Sequence, residues 1–303
     1  MSLRLALQIL TITLCWGYTW LTMKMGLAYM EPLTFTFFRF FSGTIVLFII
    51  LHLKKIGLPS RKDVPYLALA GLVQFLLVYV FVMYGMRFVT AGKSSILFYT
   101  MPVWNLLFSW LFLRERLSLR KIIGVLLGLA GLFSIMGWDV FVRMQDAKVL
   151  WGEFLIVCGG VSFAVANILM KTKLANRNVL QVTAWQMLVG SAGLLAAVLL
   201  FEGGGTVEWN AVSVFSVLFS GVLGSALSFV VWYAMLGDND STVASASILL
   251  VPVFSLLLGW LQLGERMEWG TVMGMLFIIA CIWLVNSRER SGADVSLKGG
   301  ETR

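Results

Sequence analysis

Uninterrupted apolar runs of about 20 residues follow one another along the whole chain, and they decide what it can fold into. Wound at about 1.5 Å per residue, a run of that length crosses the ~30 Å hydrocarbon of a bilayer. Of the 303 residues, 59% are hydrophobic and 13% charged, which is more apolar surface than an interior of this size can hide from water. The strict alternation that a membrane β-barrel requires is absent. The expectation is an all-α integral membrane protein with ten transmembrane helices, at about 4–27, 34–53, 64–87, 91–113, 118–137, 150–171, 178–201, 211–236, 241–263 and 268–286. Turn-forming pairs separate the runs, among them Glu31-Pro32 and Asn239-Asp240. The opening MSLRLALQILTITLC has the look of a signal peptide, but the run continues through Trp16, Trp20 and Met23 without a small-residue cleavage site, so a retained first helix is expected.

The formal charge of +8 does not point to nucleic acid, because the basic residues stand in short connections between apolar spans. There they act as topology signals. With the N-terminus in the cytoplasm, the inward connections collect Lys54, Lys55, Arg61 and Lys62, then Arg114, Arg116, Arg120 and Lys121, then Lys171, Lys173 and Arg177. The outward side holds Lys24, Arg87, Lys93, Arg143, Lys148 and Arg266. Both termini are therefore expected in the cytoplasm of a cell-membrane protein. The three cysteines, Cys15, Cys158 and Cys281, lie inside spans without a CxxC pattern, which suits packing and argues against a disulfide framework or metal cluster. No cofactor is expected.

The chain also repeats itself. A shift of 150 residues places Pro252 on Pro102, Trp260 on Trp110, Glu265-Arg266 on Glu115-Arg116 and Gly274 on Gly124. Nearer the front of each half, a shift of 147 pairs Lys24 with Lys171, Arg39 with Gln186 and Gly43 with Gly190. The division is a first five-helix repeat at 1–137, a linker at 138–149, a second repeat at 150–286 and a polar cytoplasmic tail at 287–303. Five is an odd number, so the second copy must enter the membrane from the opposite side, as an inverted repeat. Such repeats are the usual architecture of secondary transporters, with the solute near the midplane where the halves meet.

Particular residues carry a family resemblance. The first span contains CWGYTWLTMK and the second FFRF; the fourth and ninth each hold a mid-span proline followed by Glu-Arg at the bend. In this order, and duplicated, the pattern resembles the EamA-type ten-helix branch of the drug/metabolite transporter superfamily over nearly the whole chain. The resemblance implies export of small metabolites, often amino acids or their derivatives. It also implies a central cavity lined by helices one, three, four, six, eight and nine, with five and ten at the periphery.

The candidate site follows from polar and aromatic groups deep in the spans. Pro102 cannot donate to its helix and should loosen the turn at 98–102; Pro252 should do the same near Ile248. Around these kinks stand Ser95, Tyr99 and Ser245, with Trp16, Thr19 and Tyr79 facing them from the first half and Asn167 and Trp232 from the second. A phenol or amide in hydrocarbon needs a hydrogen-bond partner, which a solute can supply. Small hydroxyl residues also serve simply to let helices approach, and aromatic residues serve as packing. Arg39 is the basic residue clearly within a span. It lies under two turns from the outer end, so the alternatives are snorkelling to the interface, pairing with a carboxylate, or binding the carboxylate of a solute.

No Asp or Glu lies mid-span, Glu153 coming closest, which argues against tight proton coupling through a buried acid. Enzyme chemistry finds little support: His52 is the single histidine, and no HExxH or nucleophile elbow is present. A lipid or lipid-linked carrier remains the alternative to a carrier of small solutes. The expected partners are a small-molecule solute and the bilayer, with no nucleic acid. GxxxG spacings at Gly124/Gly128 and Gly270/Gly274 suit packing within a monomer or a homodimer.

Overall fold

A computed structural model describes residues 3–113, 119–136, 146–174, 177–238, 250–264 and 269–286. Among them nearly everything is helix, and the β-type pairing is one isolated bridge, Met30 to Val207. The helices are α1 (Leu3–Gly26), α2 (Pro32–Leu53), α3 (Val64–Gly85), α4 (Ala91–Phe98), α5 (Met101–Leu113), α6 (Leu119–Met136), α7 (Ala147–Leu169), α8 (Val179–Phe201), α9 (211–238), α10 (Leu250–Leu263) and α11 (Trp269–Asn286). Among the described residues six stretches are long and apolar enough to cross a membrane: Pro32–Leu53, Val64–Gly85, Ala91–Phe112, Ala147–Leu174, Val179–Phe201 and Ala211–Trp232. This is a multi-pass membrane protein.

The side-chain pattern on α2 shows why. Phe41, Ile45 and Ile49, at i, i+4 and i+8, are about half exposed and form a stripe for lipid. Arg39, Gly43 and Thr44 are buried on the other side. With hydrocarbon as the solvent, polarity is directed inward. Three buried hydroxyls show how this is done within a helix: Thr36 donates to the Pro32 carbonyl at 2.6 Å, Thr44 to Phe40 at 2.7 Å and Ser191 to Met187 at 2.8 Å.

The packing of the spans is reciprocal. α1 packs on α9 and α10, while α7 packs on α3, α4 and α5; α2 packs on the middle of α9, while α8 packs on α3. α2 lies along α8, α4 along α10, and α6 along α11. α2 and α8 run antiparallel, because each end of one meets the opposite end of the other. Glu202, just past α8, accepts from the Leu33 and Thr34 amides at 2.9 Å each and from the Thr34 hydroxyl at 2.7 Å. At the other end the Gln181 amide donates to the Gly57 carbonyl at 2.7 Å. The α2 N-terminus needs this help, since Pro32 opens it and Glu31 makes no side-chain cap of its own.

Two glycine contacts let these helices approach. A Cβ on Gly43 would stand 2.6 Å from the Gly221 carbonyl oxygen, and one on Gly71 would stand 2.5 Å from the Gln186 carbonyl oxygen. Gly43 sits on α2 against α9, and Gly71 on α3 against α8.

Among the described residues π turns widen α3 at Leu72–Leu77, continue α7 at Met170–Leu174 and widen α9 at Phe219–Leu227. In α9 serine hydroxyls fill the wider turns: Ser225 donates to the Ser220 carbonyl at 2.7 Å and Ser228 to Leu223 at 2.6 Å, both across five residues. The fourth span is broken. α4 ends at Phe98, α5 begins at Met101, and Tyr99-Thr100 between them form a turn immediately ahead of Pro102. The turn expected near Ile248, and Ser245, fall outside the described residues; Pro252 is buried in the first turn of α10.

Candidate solute site

The break in the fourth span frees Tyr99, and the cleft lies beside it. Its walls come from α1 (Trp16, Thr19, Trp20, Met23), α2 (Arg39), α3 (Tyr79, Val82) and the broken span (Phe98, Tyr99, Met101). Phe163 of α7 and Phe229 of α9 complete it. About 450 Å³ of space lies between these side chains, its open mouth included.

Aromatic rings make most of the wall and brace one another. Trp16 meets Phe229 edge-on with centroids 5.8 Å apart, Trp20 meets Phe98 at 5.5 Å, and Phe98 meets Phe163 at 5.4 Å. The rings are supplied in matched positions. A shift of 147 places Phe163 on Trp16, and a shift of 150 places Phe229 on Tyr79.

Arg39 supplies the charge. It is 1% exposed and does not snorkel. Its Nε donates to the Ser225 hydroxyl at 2.9 Å and to the Ser220 carbonyl at 3.2 Å. The π turn makes this possible, because its wider pitch presents the Ser220 oxygen to two donors. The guanidinium carbon lies 4.5 Å from the Tyr79 ring centroid and 4.8 Å from that of Phe40. Helix two thus joins the cleft wall, which the six-helix cavity expected from the sequence did not include.

Of the residues singled out from sequence, Trp16, Thr19, Tyr79, Tyr99 and Arg39 line the cleft together. Trp232 is buried behind it, its ring 5.7 Å from Trp16. Ser95 is buried and donates to the Gly92 carbonyl at 2.8 Å, so its hydroxyl is used within α4. Asn167 does not line the cleft: α7 reaches it at Phe163, and Asn167 is a turn further on and only partly buried. Trp20, Met23, Val82, Phe98, Met101, Phe163 and Phe229 are wall residues that the sequence reading passed over.

The remaining charges near the spans are held in place. Glu153 is buried and paired with Lys93 at 2.6 Å. Lys24 is not free at the interface, since its ammonium donates to the carbonyls of Met86 and Val89 just past the end of α3. Asp63 pairs with Arg177 at 2.9 Å and joins the cytoplasm-facing ends expected for α3 and α8.

A multi-pass helical bundle enclosing an aromatic cleft with one cationic wall is the class this fold and site define. The chain belongs to the EamA-like transporter family, which matches it twice, over residues 3–137 and 150–287. It is 34% identical over 284 residues to the uncharacterized transporter YoaV of Bacillus subtilis (strain 168), covering 93% of this chain and 96% of the relative. It is 27% identical over 231 residues to a probable terminal-alkyne amino-acid exporter of Streptantibioticus cattleyicolor, covering 76% and 75%. A solved crystal structure superposes with a TM-score of 0.69 at 19% identity over 93% of this chain and 96% of the other, a likeness of fold.

Proposed function

We propose that the protein is a secondary transporter that exports small metabolites, amino acids or related neutral, zwitterionic or partly apolar solutes, by alternating access. The observation that carries this reading is the aromatic cleft, whose walls come from both family-matched segments. Ten spans form two five-helix repeats, at 1–137 and 150–286, inserted in opposite senses with both termini in the cytoplasm. The antiparallel run of α2 along α8 and the reciprocal packing of the halves support the inversion. Two near-equivalent halves can exchange conformations at little energetic cost, which is what alternating access needs. The broken turn at Tyr99-Thr100, with Pro102 and its match Pro252, makes the moving parts. The amino-acid exporter among the relatives supports the solute class.

Purified protein reconstituted into vesicles tests the proposal against a panel of amino acids and small metabolites, with and without a pH gradient. Uptake is expected to saturate and to accelerate when the vesicles are preloaded with unlabelled solute. A linear, non-saturating flux indifferent to preloading refutes a carrier.

A further inference from the structure

The guanidinium of Arg39 is half satisfied. Its Nε side is anchored on α9 by Ser220 and Ser225. Its Nη edge is not. Nη1 has the Met23 thioether at 2.9 Å, a weak acceptor, and Nη2 reaches the Tyr79 phenol oxygen only at 3.4 Å. Met23 and Tyr79 both line the cleft, so this under-used edge is the part of Arg39 at the cleft wall. Among the described residues no carboxylate lies within ion-pair distance of it. Glu31, Asp63 and Glu153 are paired with Arg87, Arg177 and Lys93, and Glu202 is committed to the α2 N-terminus. A buried cation without a counter-charge is costly, and a guanidinium edge matches a carboxylate through two parallel hydrogen bonds.

We infer that the Nη edge of Arg39 is a carboxylate-binding subsite, and that the transported solute carries one carboxylate on an apolar or aromatic body. This rests on the carrier reading above. The carboxylate displaces the Met23 and Tyr79 contacts and completes the guanidinium, while the rest of the solute lies among Trp16, Phe98, Phe163 and Phe229. Among the described residues Arg39 is the cation in the cleft wall, so one negative charge is compensated and a second is not. A doubly charged phosphate or dicarboxylate is disfavoured, and a zwitterion or monoanion preferred. The exchange of halves sharpens the point. The position matching Arg39 is Gln186, whose amide nitrogen donates to the Met170 sulfur at 2.8 Å, as Arg39 does to Met23. Met170 is itself the match of Met23 under the same shift of 147. The arrangement is duplicated, the charge is not, and the carboxylate therefore belongs to the first half.

The test uses matched acid and amide probes: 3-phenylpropionate with 3-phenylpropionamide, L-phenylalanine with its amide, and 4-methylvalerate with its amide. Binding is read by tryptophan fluorescence, Trp16 and Trp20 being in the wall, and by calorimetry. Acids are expected to bind at least about tenfold tighter than their amides, from one charge-assisted bidentate contact. Arg39→Gln is expected to abolish that preference by weakening the acids alone, and Arg39→Lys to keep part of it. Should Arg39→Gln lose its monodisperse elution, the wild-type pairs and Tyr79→Phe decide, since removing the competing phenol is expected to hold or raise the preference for acids. Equal binding of acid and amide in wild type, or a preference that survives in folded Arg39→Gln, overturns the inference. Saturable uptake that favours amides or amines overturns it while leaving the carrier reading intact. The absence of saturable binding or uptake for every probe, and for the metabolite panel, overturns both.

Discussion

Replacing Glu202 with alanine removes the cap of a helix whose first free amide, that of Leu33, lies 169 positions earlier in the chain. Its carboxylate accepts from the Leu33 and Thr34 amides and the Thr34 hydroxyl at 2.7 to 2.9 Å, with the Tyr84 hydroxyl further off at 3.3 Å. The first amides of a helix have no intrahelical acceptor, and here neither Glu31 nor Pro32 offers one. A side-chain cap contributes about 1 kcal/mol and a negative charge at a helix N-terminus about 0.3–1 kcal/mol. With Glu202 partly exposed, the loss in Glu202→Ala is about 1–2 kcal/mol. At ~2–4 °C per kcal/mol for a chain of this order of size, the midpoint should fall by about 2–8 °C. Glu202→Gln keeps one acceptor and loses the charge, so it should fall by roughly half as much. Thermal denaturation of the detergent-purified variants reads the midpoint, and hydrogen exchange reads the Leu33 and Thr34 amides directly. An unchanged midpoint together with unchanged protection of those two amides would refute the cap.

Other predictions follow from packing and charge. Gly43→Ala and Gly71→Ala each push a Cβ against a facing carbonyl oxygen. Each should cost about 1–3 kcal/mol, and a thermal midpoint unchanged in either variant would contradict the close approach of the helices at that glycine. Lys93→Met leaves Glu153 buried beside an apolar side chain and should lower stability by about 3 kcal/mol, while Lys93→Met with Glu153→Leu should recover most of it. A double variant no better than the single one would contradict that account. Trp16→Ala opens the cleft wall against Phe229 and Trp232 and should weaken solute affinity at least about tenfold with the protein still monodisperse; unaltered saturable uptake would place the solute elsewhere. Pro102→Ala should slow turnover more than it lowers expression, and unaltered turnover would remove the turn at Tyr99-Thr100 from the moving parts.

Much of the architecture could be read from the residues because it depends on local apolar length and on duplication. The break of the fourth span beside Pro102 is of this kind, since proline removes its own hydrogen bond. The clustering of Trp16, Thr19, Tyr79, Tyr99 and Arg39 followed from polarity or aromaticity inside a span. Phe163 and Phe229 escaped notice because an apolar ring in an apolar span carries no local signal, although both lie on Trp16 and Tyr79 when the repeat is applied. Asn167 drew attention by its polar amide, yet the cleft reaches α7 one turn earlier. The burial of Arg39 was not legible: it depends on the π turn of α9 presenting the Ser220 oxygen, nearly two hundred residues along. The Glu202 cap is non-local for the same reason.

The central claim is that the two halves cross the membrane in opposite senses, and side-specific labelling tests it most directly. In a cysteine-less background, single cysteines at Lys55 and at Thr206 mark the connections that follow α2 and α8, the matching helices of the two halves. Membrane-impermeant maleimide applied to sealed right-side-out cells or vesicles should modify the Thr206→Cys protein, and should modify Lys55→Cys only after the membrane is opened. Modification of both positions from the same side would contradict the inverted arrangement and the mechanism built on it.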